Sequence, residues 1–176
     1  MTRINPKNIV VKESITQALL ILMENKDFEK ITITDIVNKA GVVRMSFYRN
    51  YTSKEDVILK HLYEIYEKWG KNINDDEPSK FIINLFELFE SMKPTIEILY
   101  KANLSHLLLH FLNTACGANL EQKNIYAYYS SIIAGSFFGW YDAWLRRGSQ
   151  ESPEEMLKLF KEDGFLSLFW TSLLEN

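Results

Sequence analysis

The chain has 176 residues, a formal net charge of −3 and 47% hydrophobic residues, a composition that excludes an intrinsically disordered protein. Its four prolines and seven glycines are few for a protein of many strands and turns, and its single cysteine, Cys116, excludes an intrachain disulfide. No apolar stretch has the length of a membrane span or the pattern of a signal peptide. We therefore expect a cytoplasmic protein with no membrane segment.

Charge is unevenly distributed along the chain. Residues 1–60 carry ten basic and seven acidic side chains, whereas residues 61–176 carry ten and sixteen. A basic first third on an acidic remainder would attract DNA to one face only. An excess of three basic side chains also falls within the ordinary variation among proteins. Apolar residues recur at 3.6-residue spacing through most of the chain, which predicts an all-α fold.

The first two helices are predicted from apolar spacing and from their caps. Helix one runs from about Lys7 to Asn25. Thr32 is a good N-cap for helix two, and Asp35 follows at the spacing of a capping box. Gly41 then ends that helix, since glycine tolerates the left-handed conformation of a helix C-terminus.

A second short helix is predicted from Arg44 to Tyr51, directly after the glycine turn. Phe47 and Tyr51 are four residues apart on one face, which leaves basic and polar side chains on the other. Two short helices around a glycine turn, with a basic second helix, are typical of a helix-turn-helix unit. A helical hairpin with no nucleic-acid role would use the same spacing, so both interpretations stay open at this point.

The stretch GVVRMSFYRNYTSKEDV, residues 41–57, resembles the DNA-binding signature of TetR/AcrR-type transcriptional regulators. The match has no gaps and extends back through ITITDIV. Val43 and Asn50 depart from the family pattern, which usually has Ser at the first position and His or Tyr at the second. The resemblance implies an all-α protein of about nine helices, with a helix-turn-helix DNA-binding domain over 1–53 and a helical effector-binding and dimerisation domain over 54–176.

The resemblance also implies which side chains contact double-stranded DNA. Phosphate contacts are expected near the starts of two helices and at a tyrosine, and base contacts along the second short helix. The expected phosphate contacts are Thr32, Thr34, Lys54 and Tyr48. The expected base contacts are Arg44, Met45 and Ser46, with Arg49 and Asn50 as further candidates. Arg44 can pair with guanine, whereas Tyr48 has the alternative of a role in the core.

The remainder of the chain is predicted to be helical as well. Pro94 is expected to end one helix and start a short one. The predicted helices cover 54–69, 78–92, 94–101, 103–116 and 121–147 and continue from 153, with a further apolar segment over 165–174.

The predicted helix over 121–147 is apolar nearly all round. Such a helix has to be covered on both sides. The resemblance implies that the last two long helices pair with their copies, which would make the protein a homodimer on a near-palindromic operator. The alternative is that this helix lies at the centre of a monomeric body.

Aromatic residues are concentrated in the second domain, where an apolar pocket would suit a small apolar or aromatic effector. The core of the domain is an equally valid place for most of them. His106 and His110 lie four residues apart, but no third metal ligand is spaced nearby, so neither a metal nor a cofactor is expected. The candidate pocket residues are Phe86, Phe89, Tyr100, His106, His110, Phe111, Tyr129, Phe137 and Trp140.

The function that follows is that of a DNA-binding transcriptional regulator, a repressor released by a small effector. GSFFGWYDAWLRRG and SPEEM also resemble a C-terminal module of TetR-like regulators, some of which control dihydroxyacetone kinase genes as activators with a co-regulator protein. A helical interaction module without DNA binding is the other alternative. An enzyme is not expected, because Cys116 and His110 are six residues apart on different faces of one helix.

Overall fold

The computed structural model describes residues 6–71, 78–116 and 123–162. Within these ranges the chain is all-α, as predicted, and contains no strand. The elements are α1 Pro6–Asn25, a single 3-10 turn Phe28–Lys30, α2 Ile33–Ala40, α3 Arg44–Asn50, α4 Lys54–Gly70, α5 Pro78–Lys101, α6 Ser105–Ala115, α7 Asn124–Arg146 and α8 Pro153–Glu162. The predicted apolar segment over 165–174 lies outside the described residues.

The predicted helix break at Pro94 is wrong, because α5 continues through this proline as one helix of 24 residues. Met92, Ile96 and Leu99 are fully buried on either side of it, whereas Pro94 itself faces outward. A proline inside a helix costs about 3 kcal/mol, but each fully buried large apolar side chain contributes about 1.5–3 kcal/mol. Packing therefore overrides the local penalty, and the described residues form eight helices instead of the expected nine.

The first four helices share one small core. Phe28, Ile36 and Phe47 are buried together with Ile15 and Leu19 of α1. The N-terminal half of α4 belongs to the same core, since its Val57, Ile58 and Leu62 are also buried. α4 thus begins among the helices of the N-terminal unit and continues toward the C-terminal one.

The second half of α4 packs against α5 and α6. Tyr63 and Tyr66 of α4 both contact the ring of Phe111, at centroid distances of 5.1 and 5.9 Å. One continuous helix therefore contacts both units of the chain. None of the helices in the described ranges combines the length and the apolar content needed to cross a bilayer.

Candidate nucleic-acid interface

The start of α2 has the predicted capping box. The Thr32 side chain accepts from the backbone N–H of Asp35 at 3.1 Å, and the Asp35 carboxylate accepts from the backbone N–H of Thr32 at 2.8 Å. Lys26 donates to the same carboxylate at 2.7 Å. These donors, Lys26 first, lower the pKa of Asp35 from 3.8 to about 2. Thr32 and Thr34 both stay exposed on this helix end.

The turn between α2 and α3 also follows the prediction. Gly41 has φ 67°, in the left-handed region, and the N–H of Val42 donates to the carbonyl of Val37 at 3.0 Å. Val43 is the N-cap residue of α3 and provides no side-chain cap. The missing serine hydroxyl, noted in the sequence, therefore leaves the first amides of α3 without a side-chain partner at this position.

The inward face of α3 fixes the orientation of the helix. Phe47 and Tyr51 are buried, with ring centroids 5.7 Å apart. The Tyr51 hydroxyl lies 3.4 Å from that of Thr16 on α1. At the other end of the helix, the ammonium of Lys60 on α4 donates to the carbonyl of Asn50 at 2.8 Å. α3 is thus held from α1 on one side and from α4 at its C-terminus.

The outward face of α3 carries most of the predicted base-reading side chains. Arg44, Met45, Tyr48 and Arg49 are exposed, Met45 by 61%, and Ser46 is half-buried. The Arg44 guanidinium donates to the Tyr48 hydroxyl at 3.1 Å and lies 5.7 Å from its ring centroid. In the described part of the chain, neither Arg44 nor Arg49 is in an ion pair, so the face is positively charged.

Asn50 is already engaged on both sides of its amide. Its Nδ2 donates to the carbonyl of Ser46 at 2.8 Å, and its Oδ1 accepts from Nδ2 of Asn8 on α1 at 3.0 Å. The side chain therefore joins α3 to the first turn of α1. One N–H and one lone pair of the amide remain, but the two bonds hold the side chain against the protein instead of leaving it free to turn toward a base.

Lys54, a predicted phosphate contact at the start of α4, is also engaged. Its ammonium donates to the carbonyls of Phe28 at 2.6 Å and Ile31 at 2.8 Å, and it lies 4.3 Å from the centroid of the Phe28 ring. An ammonium has three N–H groups, so this arrangement leaves one for another acceptor. The start of α4 is capped by the hydroxyl of Ser53, which accepts from the N–H of Asp56 at 3.1 Å.

A separate cavity of about 230 Å³ lies among α4, α5, α6 and α7. Two of the nine predicted pocket residues, Phe111 and Phe137, line it. The lining residues that the prediction missed are Tyr66, Trp69, Leu85, Leu88, Leu112, Ala115, Cys116 and Ile133. Burial raises the pKa of the Cys116 thiol, which favours its neutral form.

The other seven predicted pocket residues lie elsewhere. Phe86, Phe89 and Trp140 form a packed aromatic cluster with Tyr141 and Trp144, in which the Phe86 and Trp140 centroids are 4.7 Å apart. The rest are Tyr100, which forms a hydrogen bond to Asp142, and the exposed side chains His106, His110 and Tyr129.

Sequence reasoning could not separate core from cavity lining, because both consist of apolar side chains at helical spacing. A weak signal for the cavity lining was present in α4, the helix that also enters the N-terminal unit. Tyr66 and Trp69 on this helix are large side chains that combine an apolar ring with a polar group. Among the described residues, no group of three or more His, Cys, Asp or Glu side chains is placed to hold a metal ion, and this includes the surroundings of His106 and His110.

Two family models match the chain. Residues 15–60 match the one described as bacterial regulatory proteins, tetR family, and residues 76–162 match the one described as transcriptional regulator C-terminal region. The chain belongs to the TetR family. The first match covers the capped α2, the turn and α3, and the second covers α5, α6 and α7, three of the four helices that surround the cavity.

Two known proteins share sequence or fold with this chain. A Bacillus subtilis (strain 168) protein described as uncharacterized HTH-type transcriptional regulator YxbF is 30% identical over 116 residues, 65% of this chain and 29% of the relative. The match therefore spans less than a third of that relative's length. The crystal structure of Lin0861 from Listeria innocua has a TM-score of 0.75 at 11% identity, over 94% of this chain and 95% of that one, which shows a common fold alone.

Proposed function

We propose that this TetR-family protein is a transcriptional repressor that binds a near-palindromic operator as a homodimer and is released by a small apolar effector. The observation that carries the proposal is the outward face of α3. The buried side of this short helix holds it in place, and its other side is exposed to solvent. That exposed side carries two arginines that form no ion pair with any residue in the described part of the chain. Such a helix fits the major groove, where arginine recognises guanine.

The proposed contacts divide into two groups. Arg44 and Met45 read base edges, and Ser46 and Arg49 contact base edges or the phosphates beside them. The phosphate contacts lie around them and comprise Thr32, Thr34 and Tyr48, together with the remaining N–H of Lys54. Asn50 acts mainly as a positioning residue, because both ends of its amide already have partners in the protein.

A homodimer is supported by the exposed stripe of α7. Ile125, Tyr129 and Ile132 are each more than half exposed and follow one another at steps of four and three residues. The stripe continues through the exposed small residues Ser136, Gly139 and Ala143. A seven-residue repeat of this kind is the pattern of a helix that packs along another helix. Dimerisation would supply two copies of α3 for the two half-sites of the operator.

The cavity among α4–α7 is the proposed effector site. Its volume of about 230 Å³ exceeds the engineered cavity of about 150 Å³ in another protein that binds benzene, so a single aromatic ring with a short substituent fits. Tyr66 and Trp69 on its wall belong to α4, which begins at Lys54 beside the DNA-binding unit. The indole N–H of Trp69 also donates to the carbonyl of Asn84 on α5 at 2.8 Å. A ligand here would therefore act on the helix that joins the two units.

Operator binding is tested by selecting a duplex from a random library with the protein and measuring affinities by fluorescence anisotropy at fixed salt. We expect Arg44→Ala to relax the preference at one base pair of each half-site, with a loss of about 1–3 kcal/mol there. Lys39→Ala, which removes an exposed cation from α2, is the matched control and should keep the preference. Failure of the protein to select any duplex would refute the proposed function.

The effector site is tested with benzene, ethylbenzene and indole as probes. We expect these compounds to raise the melting temperature of the wild-type protein, because a ligand that binds only the folded state stabilises it. Ala115→Leu fills part of the cavity and should abolish the shift. A variant that retains the full shift would show that the probes bind elsewhere, and a regulator that responds in cells despite the filled cavity would point to control by a partner protein.

A further inference from the structure

Beside α3, on the side that faces α1, lies a hollow of about 180 Å³ lined by Lys7, Asn8, Val11, Ser46, Arg49 and Asn50. We propose that this hollow binds a further DNA phosphate, in addition to those contacted by α2, Tyr48 and Lys54, so that the first turn of α1 is part of the operator-binding surface. The inference rests on the proposed function and extends it to residues outside the helix-turn-helix itself.

The chemistry of the hollow suits an anion. It combines the cations of Lys7 and Arg49 with the amide of Asn8 and the hydroxyl of Ser46, and no carboxylate lines it. Arg49 is exposed, and within the described residues it forms no ion pair. Arginine and lysine donors with a neighbouring amide and hydroxyl are the groups that proteins use to hold phosphate oxygens.

The position of the hollow determines which part of a duplex it would meet. At 3.6 residues per turn, Tyr48 and Asn50 lie about 160° apart around the α3 axis, on opposite flanks of the helix. Asn50 is bonded to Asn8, so the start of α1 lies along the flank opposite Tyr48. A helix with its side chains is about 10–12 Å wide and the major groove about 12 Å, so both flanks of α3 come close to a sugar–phosphate strand.

The hollow and Tyr48 would thus contact the two strands that border the groove. Contact with one strand alone would leave α3 free to tilt about it, whereas contact with both fixes the depth and register of α3 over the bases. The Asn8–Asn50 hydrogen bond keeps the two helices at the spacing that this arrangement requires. Asn50, where the family pattern usually has another residue, then positions α1 instead of reading a base.

The test is the salt dependence of binding to the selected duplex, compared between Lys7→Ala and Lys12→Ala. Each lost phosphate contact lowers the slope of log Kobs against log salt concentration by about 0.9, so we expect Lys7→Ala to lower it by about 1.8 for a dimer. Lys12 is on the same helix with the same charge, but it does not line the hollow and lies 3.8 Å from Glu64 on α4, so its removal should leave the slope unchanged. Lys7→Arg keeps a cation in the hollow and should restore the wild-type slope.

A second variant tests the hollow without removing a cation. Asn8→Asp places a carboxylate where the phosphate would bind and should weaken operator binding at least tenfold. Asn8→Ala loses the same hydrogen bond to Asn50 without adding a charge, so it is the matched control and should weaken binding much less, with circular dichroism reporting the same helix content for both variants. Wild-type slopes and affinities in Lys7→Ala and Asn8→Asp would overturn the inference. If Arg44→Ala still relaxed base preference in that case, the proposed function would stand without it.

Discussion

At the scale of single residues, Lys54 shows how a motif position can serve two roles. Its two hydrogen bonds to the carbonyls of Phe28 and Ile31 tie α4 to the 3-10 turn. Hydrogen bonds to charged groups contribute about 1.5–3 kcal/mol, so Lys54→Ala should lower the free energy of unfolding by about that amount in urea titrations. We also expect a salt slope reduced by about 0.9 per protomer, from loss of the third N–H to a phosphate.

Lys30→Ala is the control for this prediction, since the ammonium of Lys30 pairs with Asp27 alone among the residues that the structure describes, and both side chains are 72% exposed. It should change neither stability nor slope measurably, as is usual for a surface pair. A destabilised Lys54→Ala with the wild-type slope would show that Lys54 positions α4 without contacting DNA.

Individual side chains were predictable where the chemistry is local. The Thr32–Asp35 box and the left-handed Gly41 each depend on residues within a few positions of one another, and both were confirmed. The carbonyl partners of Lys54 and the Asn8 partner of Asn50 were not predictable, because they are brought together from 23 to 42 positions away in the chain. Motif position indicated that these residues matter, but the fold determines what they contact.

At the scale of elements, the start of α2 gives the fold a dependence on pH. The pKa of Asp35 in the folded chain is about 2, below its ordinary value of 3.8. The ionised carboxylate therefore stabilises the folded state above about pH 4, and this contribution is lost as the pH falls through about 2. We expect Asp35→Asn to be less stable than the wild type at pH 7 and to show a smaller loss of melting temperature between pH 4 and pH 2. Parallel melting curves for the two proteins would contradict this role.

The helices of the C-terminal unit show the limit of reading elements from sequence. The existence of these helices follows from apolar spacing. The energetic cost of Pro94 predicts a helix break, whereas the burial on both sides that outweighs this cost depends on the neighbouring helices. The same reason explains the partial success with the cavity. Phe111 and Phe137 line it whereas Phe86 and Phe89 pack in an aromatic cluster, although all four are aromatic residues of predicted helices.

At the scale of the whole molecule, the stripe of α7 has bulky residues in its N-terminal half and small ones in its C-terminal half. A twofold axis across the middle of an antiparallel helix pair would place Ile125, Tyr129 and Ile132 of one protomer against Ser136, Gly139 and Ala143 of its partner. Bulky side chains would then fill the space left by small ones, which allows a close approach of the two helices. In such a dimer, the need for a small residue at position 139 would come from the partner helix and not from the fold of the protomer.

Gly139→Leu separates the dimer from the fold of the protomer. Nothing lies within 4 Å of the place where a Cβ at this position would sit, so the protomer can accept the side chain. Replacing glycine within a helix should even stabilise it, by up to about 1 kcal/mol. In the proposed dimer the leucine would collide with the partner helix, so we expect light scattering to show a monomer. At a concentration low enough for the wild-type protein to be monomeric as well, the melting temperature of the variant should equal or exceed that of the wild type. Operator affinity should fall because the two half-sites are then bound independently. A Gly139→Leu protein that remained dimeric at micromolar concentration would place the interface on another face of the molecule.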